Sequence, residues 1–259
     1  DLNRDYMKLD SLEARALVGL MNKWDPHVLV DLHTTNGSYH GYHLTYSPPL
    51  HPGTDPAITA FARERWLAEV TRTLSPEWSM WYYGNLPEFE GFEGPRGWYT
   101  FSHQPRFGSN YEGLRNRIGL LSEAYSYIPF EERIAVTRDF VVASLDFAVA
   151  HASDIQRLTD AADAVNLSGT ELPVRAEHAC GAEVEIRQVF EADDFGAEFT
   201  PELREQEERI RAEAANPRGD VWWGGTGDPH LQAAEEGLTE PYKSPNMSQL
   251  QDWAIRQWE

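Results

Sequence analysis

Two short runs of mainly apolar residues most strongly constrain what this chain can fold into. They occupy residues 27–33 and the middle of residues 116–127. Runs of this length, bounded by turn residues or helical segments, are typical of buried strands. Segments with helical spacing of apolar residues lie before and after these runs. The sequence therefore predicts an α/β fold in which helices flank a sheet.

Three segments carry the helical pattern. Residues 11–24 follow a capping-box pattern that begins at Asp10, and residues 56–74 start with a proline at the first helical position. The segment from about 130 to 166 contains no helix breaker and predicts one helix of roughly 30 residues. Residues 75–111 are rich in Trp, Tyr, Gly and Pro, and predict long ordered loops that can line a cleft.

Each predicted strand contains one conspicuous polar side chain. His33 ends the first strand, and the carboxyl edge of an open α/β sheet is where ligands bind. Glu123 lies in the second strand, where a carboxylate is costly to bury unless it is paired or functional. From the residues alone both alternatives stay open. His33 can be a hydrogen-bonded core histidine, and Glu123 can pair with Arg106, Arg115 or Arg117.

Composition excludes several classes of function. The net charge is −20, with 42 acidic and 22 basic residues, and such a field repels nucleic acid and anionic lipid. No run approaches the roughly 18 apolar residues needed to cross a bilayer. The single cysteine, Cys180, excludes an internal disulfide and a cysteine-built zinc site, and leaves the compartment open.

Three short motifs occur in a fixed order: Asp1-Leu2-Asn3-Arg4-Asp5, then Asp31-Leu32-His33, then Leu121-Ser122-Glu123. As a set they resemble the zinc metallocarboxypeptidases of the carboxypeptidase A type. The resemblance covers about residues 1–160. It implies a mixed, mostly parallel sheet flanked by helices, with residues 1–167 as the C-terminal part of the catalytic domain. Residues 168–259 are then expected to form an α+β extension of unknown role.

The resemblance also implies the chemistry of the site. His33 would bind a single zinc ion, and Glu123 would deprotonate the attacking water. Asp1 would orient a zinc-bound histidine. The implied reaction is hydrolysis of the C-terminal residue of a peptide, or of a related amide bond, by metal-activated water.

Substrate recognition is implied as well. Asn3 and Arg4 would hold a free carboxylate of the peptide or small amide substrate. Tyr111, with Tyr99 as the alternative, would close over that substrate. Asp5 stands where the family more usually has Asn, which leaves the substrate preference open. Family members of this kind favour an extracellular or periplasmic location.

One departure from the family pattern is large. The family's other zinc ligands come from an upstream His-x-x-Glu, and no histidine of this chain is followed three positions later by Glu. His40 and His43 form a His-x-x-His that is not expected to replace it. We therefore expect the chain to be truncated, with the missing ligands upstream, and to be inactive by itself. The alternatives are a catalytically inactive, carboxypeptidase-like binding module and a plain α/β domain.

Overall fold

Four strands form one open, mixed sheet. The computed structural model describes residues 2–35, 40–85 and 97–173, together with 176, 179, 181 and 183–187. The strands are β1 (Val28–Thr34), β2 (Leu44–Ser47), β3 (Met80–Tyr82) and β4 (Ile118–Ala124). Their order in the sheet is β1-β4-β2-β3. β1 runs parallel to β4, β4 runs antiparallel to β2, and β2 runs parallel to β3.

Helices flank this sheet, which confirms the predicted α/β class. They are α1 (Leu12–Trp24), α2 (Pro56–Ala60), α3 (Leu67–Leu74), α4 (Gly108–Leu114), α5 (Phe130–Ala150) and α6 (Ala152–Asp163). A π-helical segment, Phe61–Trp66, joins α2 to α3, so the predicted helix over 56–74 is continuous. None of the helices among the described residues is long and apolar enough to cross a membrane.

The first helix begins one residue later than the sequence pattern indicated. Ser11 is the N-cap of α1, and its hydroxyl accepts a hydrogen bond from the Ala14 amide at 3.2 Å. Asp5 accepts hydrogen bonds from the Ser11 hydroxyl at 2.6 Å and from the Ser11 and Asp10 amides. These bonds lower the pKa of Asp5 to about 2. Asp5 therefore anchors the start of α1.

The main core lies on one face of the sheet. Its strand residues are Leu44, Tyr46, Met80, Ile118, Leu120 and Ala124. Trp66, Phe140 and Phe147 of the flanking helices pack against them, and Trp66 and Phe140 are almost fully buried. Burying one such side chain stabilises the fold by about 1.5–3 kcal/mol. The predicted strands therefore form because this face is apolar at alternate positions.

The opposite face of the sheet carries the polar residues. Strand alternation places Asp31 and His33 of β1 on the same face as Glu123 of β4. α4 covers the first half of this face. A Cβ atom on Gly119 would lie 2.5 Å from the Ser109 carbonyl oxygen, so glycine is required for α4 to approach β4. The second half of the face, beyond the start of α4, is where the polar side chains lie.

Two predictions of secondary structure are wrong. The predicted single helix near the C-terminal end of the domain is two helices, α5 and α6, which meet at His151. The backbone of His151 has φ −116° and ψ 20°, and its ring packs 4.2 Å from that of Phe147. The helical path breaks there because α6 turns to bury Ile155 and Ala162. The segment predicted as loops, 75–111, contains β3 and the start of α4.

Other predictions fall mostly outside the described residues. Most of residues 168–259, with the predicted extension and Cys180, lie there, as do residues 86–96. The boundary near residue 168 therefore stays a prediction.

Candidate functional site

His33 and Glu123 meet at the carboxyl edge of the β1–β4 strand pair. The parallel register pairs these two positions directly. The Nδ1 atom of His33 lies 3.7 Å from the Oε1 atom of Glu123. On the other side of the ring, Nε2 lies 2.9 Å from the Oδ1 atom of Asp31. The structure therefore brings together the predicted metal ligand and the predicted general base on the same side of the sheet.

Asp31 fixes which nitrogen of His33 faces Glu123. A carboxylate beside Nε2 accepts the proton of that nitrogen, and the lone pair of the neutral ring is then on Nδ1. The hydrogen bond to Asp31 raises the pKa of His33, burial opposes this rise, and the negative charges of Asp31 and Glu123 reinforce it. In the neutral ring Nδ1 is therefore the nitrogen that could hold a metal ion, and in the protonated ring it could donate a proton toward Glu123.

Glu123 is a buried carboxyl whose charge is incompletely compensated. Its residue is 8% exposed. Burial raises the pKa of Glu123 to about 7, His33 lowers it and Asp31 raises it. A carboxyl with a pKa near neutrality can both accept and release a proton at physiological pH. Its cross-strand neighbour is Thr45, whose buried hydroxyl has no hydrogen-bond partner in the described part of the chain.

The structural explanation for Glu123 is wrong for two of the three arginines considered. Arg115 binds Glu112, with 2.9 Å between Nη1 and Oε1. Arg117 binds Asp25 and Asp163, at the opposite end of β4. Arg106 stacks on Phe107, with its guanidinium carbon 4.9 Å from the ring centroid.

Tyr6 and Gly108 lie beside Asp31, and neither was predicted as a site residue from the sequence. A Cβ atom on Gly108 would lie 2.9 Å from the Tyr6 hydroxyl and 3.0 Å from the Oδ2 atom of Asp31. The glycine thus allows the phenol and the carboxylate to approach each other. Burial, followed by the charges of Asp31 and Glu112, raises the pKa of Tyr6. A glycine at the start of a helix was the only sequence signal for this contact.

The predicted substrate-binding residues are placed unevenly. Asn3 and Arg4 lie in a single 3-10 turn, Leu2–Arg4, and the Arg4 guanidinium carbon is 6.0 Å from the Phe107 ring centroid. Burial raises the pKa of the Tyr83 phenol, the hydrogen bond from Asn85 lowers it, the charge of Glu123 raises it and that of Arg4 lowers it.

Two further predicted residues stay open. The Tyr111 and Tyr6 ring centroids are 5.6 Å apart, and the guanidinium carbon of Arg115 lies 5.8 Å from the Tyr111 centroid. Tyr111 belongs to the small apolar cluster beneath α1, and its closure over a substrate stays a prediction. Asp1 lies outside the described residues.

The His-x-x-His pair has separate partners. The His40 ring is fully buried, and its centroid lies 4.4 Å from that of the tilted Tyr125 ring. Its Nδ1 accepts a hydrogen bond from the Tyr42 amide at 3.3 Å. Burial lowers the pKa of His40 to about 4. His43 contacts the Ser79 hydroxyl through Nδ1 at 2.9 Å. Among the described residues, no group of three or more His, Cys, Asp or Glu side chains is placed to hold a metal ion.

Comparison with known proteins gives one similarity. The chain is 39% identical over 72 residues to an uncharacterized protein of Haemophilus influenzae. The matched stretch is 28% of this chain and only 18% of that protein. No family model matches the chain. No solved structure matches it either.

Proposed function

We propose that the protein is a zinc-dependent hydrolase of amide bonds, which releases the C-terminal residue of a peptide or cleaves a related amide next to a free carboxylate. One observation carries the proposal. His33 is held by Asp31 through Nε2 while its Nδ1 faces the buried carboxyl of Glu123 at 3.7 Å. An oriented imidazole beside a carboxyl with a pKa of about 7 is the arrangement that hydrolysis by activated water needs.

The residues fit part of a zinc site. Metal-bound histidines usually donate their second N–H to a carboxylate, as His33 donates to Asp31. Catalytic zinc takes about three protein ligands, so in this proposal the others come from outside the described residues. Zinc bound there would supply Lewis acidity to a substrate carbonyl and to a water molecule. The described residues alone are accordingly expected to bind zinc weakly.

The roles of the chain's own side chains follow from their positions. Glu123 takes a proton from the attacking water and passes it to the amine that leaves. Asp31 keeps His33 in one tautomer and one ring orientation. The guanidinium of Arg4 can hold the substrate's carboxylate with two parallel hydrogen bonds, with Asn3 as a further donor. The net charge of −20 makes such a local cation necessary for binding an anionic chain end.

The test uses the full-length protein. Bound zinc is measured after dialysis, and release of C-terminal residues is followed with a mixture of short peptides. Glu123→Gln should lower turnover by about 10²–10⁴-fold and keep the zinc, because it removes the base and no proposed ligand. His33→Ala should lose zinc. Glu112→Gln is the control, since Glu112 is also buried but binds Arg115 away from this edge.

Three outcomes separate the candidates. Turnover that falls with Glu123→Gln and not with Glu112→Gln supports the hydrolase. Binding of carboxylate-ended peptides without turnover in the unaltered protein would favour the binding module instead. If zinc and peptides both fail to bind, and His33→Ala changes nothing except stability, the site is structural and the proposal is wrong.

A further inference from the structure

The geometry points to Tyr83 as the phenol that contacts the substrate beside Glu123, donating a hydrogen bond to the oxygen of the carbonyl under attack. The sequence had indicated Tyr111 or Tyr99 for the tyrosine of this site. The inference rests on the proposed function, because it adds a substrate-contacting group to the same site. The inference goes beyond the proposed function because it names the hydroxyl that faces the reacting bond.

The sheet register determines which way Tyr83 points. Tyr82 pairs with Tyr46 of β2, and the Tyr83 amide donates to the Tyr46 carbonyl oxygen at 2.7 Å, which continues the ladder one residue beyond β3. Successive side chains of a strand point to opposite faces. Tyr82 lies on the core face, where its ring packs 5.1 Å from that of Tyr46 and its hydroxyl donates to the Arg63 carbonyl oxygen. Tyr83 therefore lies on the other face, with Glu123.

Two described neighbours, Phe101 and Asn85, hold the phenol in place. The Tyr83 ring packs edge-on against Phe101, with centroids 5.6 Å apart, and Phe101 packs in the same way against Phe107. The side-chain amide of Asn85 donates to the Tyr83 oxygen at 3.5 Å. Because Asn85 uses the oxygen as an acceptor, the hydroxyl proton can still be donated to a ligand.

Charges on both sides of the proposed site act on this phenol. Burial raises the pKa of Tyr83, the Asn85 hydrogen bond lowers it, the charge of Glu123 raises it and that of Arg4 lowers it. Tyr83 is therefore protonated at neutral pH and is a hydrogen-bond donor. It also lies within electrostatic reach of both the proposed base and the proposed carboxylate-binding cation.

A fixed, neutral donor at this position stabilises negative charge as it develops on the carbonyl oxygen. The hydroxyl keeps its proton throughout, so Tyr83 contributes through hydrogen bonding and leaves proton transfer to Glu123. Such a donor acts more strongly in the transition state than in the substrate complex. Its loss should therefore lower kcat more than it raises KM.

The first experiment compares Tyr83→Phe with Tyr82→Phe in the full-length protein. Tyr83→Phe should lower kcat by about 10–10³-fold with little change in KM, and should keep the shape of the pH profile, because Glu123 still titrates. Tyr82→Phe removes the same atom from the adjacent residue on the core face and should leave kcat unchanged. Tyr99→Phe and Tyr111→Phe test the residues that the sequence indicated.

A second measurement does not depend on turnover. Tyrosine ring carbons are labelled with ¹³C, and the protein is titrated with a dipeptide phosphonate, which imitates the tetrahedral oxyanion and carries a free carboxylate. The Tyr83 resonance should shift on binding while that of Tyr82 stays in place. Tyr83→Phe should weaken phosphonate binding at least as much as binding of the parent dipeptide.

The outcomes distinguish this inference from the proposed function. If the phosphonate binds, Glu123→Gln abolishes turnover and Tyr83→Phe changes neither binding nor kcat, the inference is wrong and the hydrolase proposal stands. An equal loss of turnover in Tyr82→Phe and Tyr83→Phe would show a purely structural role and also overturn it. If the unaltered protein neither binds the phosphonate nor cleaves peptides, both ideas are wrong.

Discussion

The two ends of the β1–β4 strand pair are both rich in carboxylates, and they neutralise them differently. At the amino end, Arg117 lies between Asp25 and Asp163, and Arg115 binds the buried Glu112. At the carboxyl end, the imidazole of His33 lies between the carboxylates of Asp31 and Glu123. Guanidinium groups are always charged, whereas an imidazole changes charge near neutral pH.

This difference separates a structural end from a candidate functional one. At the amino end, hydrogen bonding by Arg117 lowers the pKa of Asp25, so its carboxylate is stabilised in the charged form. At the carboxyl end, burial raises the pKa of Glu123 to about 7. Groups with strongly shifted pKa values are concentrated at functional sites. Both ends belong to the same strands, so the contrast can be tested within one molecule.

The largest effect is expected when the amino end loses a guanidinium. Arg115→Met leaves Glu112 buried without its partner and should lower the free energy of unfolding by about 3 kcal/mol. Adding Glu112→Leu should recover much of that loss, because no charge then stays buried. Urea unfolding of the single and double variants measures both values. An equal loss from His33→Gln at the carboxyl end would remove the proposed difference between the ends.

The next prediction concerns the pH dependence of stability. Glu123 has a folded-state pKa of about 7, above its ordinary value near 4.5, so the folded protein binds this proton more tightly than the unfolded chain. Stability is therefore lost as pH rises from about 4.5 through 7. Glu123→Gln removes this loss and should stabilise the protein by about 2 kcal/mol at pH 8, with no gain at pH 4.

Thermal and urea unfolding at both pH values measure this effect. Replacement of Glu131, an exposed residue of α5, by Gln is the control and should show no such pH dependence. A stabilisation that is the same at pH 4 and pH 8 would mean that the pKa of Glu123 is the same in the folded and the unfolded protein, and would contradict the prediction.

A smaller effect is expected from Gly108→Ala. The added methyl group meets the Tyr6 ring and the Asp31 carboxylate at about 3 Å, and such overpacking costs about 1–2 kcal/mol. Gly19→Ala in α1 is the matched control. It has no atom within 4 Å of its new methyl group and should stabilise the helix by about 0.5–1 kcal/mol. If both substitutions change the free energy of unfolding by close to zero, Gly108 does not position Asp31.

The smallest perturbation is Asp31→Asn. The hydrogen bond to Asp31 is the largest cause of the raised pKa of His33, so the His33 ring of the variant should titrate at lower pH. NMR titration of the His33 ring measures this, with His51 as an internal reference that should not move. If the His33 titration is unchanged, the charge of Glu123, and not Asp31, causes the raised pKa of His33.

Much of the carboxyl-end site could be predicted from local patterns. The apolar runs determined β1 and β4, and strand alternation then places His33 and Glu123 on one face once the strands pair in register. β2 and β3 were missed because they are four and three residues long and lie among aromatic residues with no clear period.

What the sequence could not supply were contacts between distant residues. The Arg117 bonds to Asp25 and Asp163 join residues 92 and 46 positions apart, and no local pattern indicates them. The choice among Tyr83, Tyr99 and Tyr111 likewise depends on the pairing of β3 with β2. Spacing along the chain indicated Tyr111, which is near Glu123 in sequence, whereas the sheet pairing indicates Tyr83.

The direct pairing of His33 with Glu123 has a consequence for how this edge can vary. Their separation is determined by backbone hydrogen bonds between adjacent strands, which are held about 4.8 Å apart in any sheet. Insertions or rearrangements in the surrounding loops can change the surroundings of the pair without altering its alignment. The strand pairing keeps the two residues aligned, so the sequences of the surrounding loops can vary without changing that alignment.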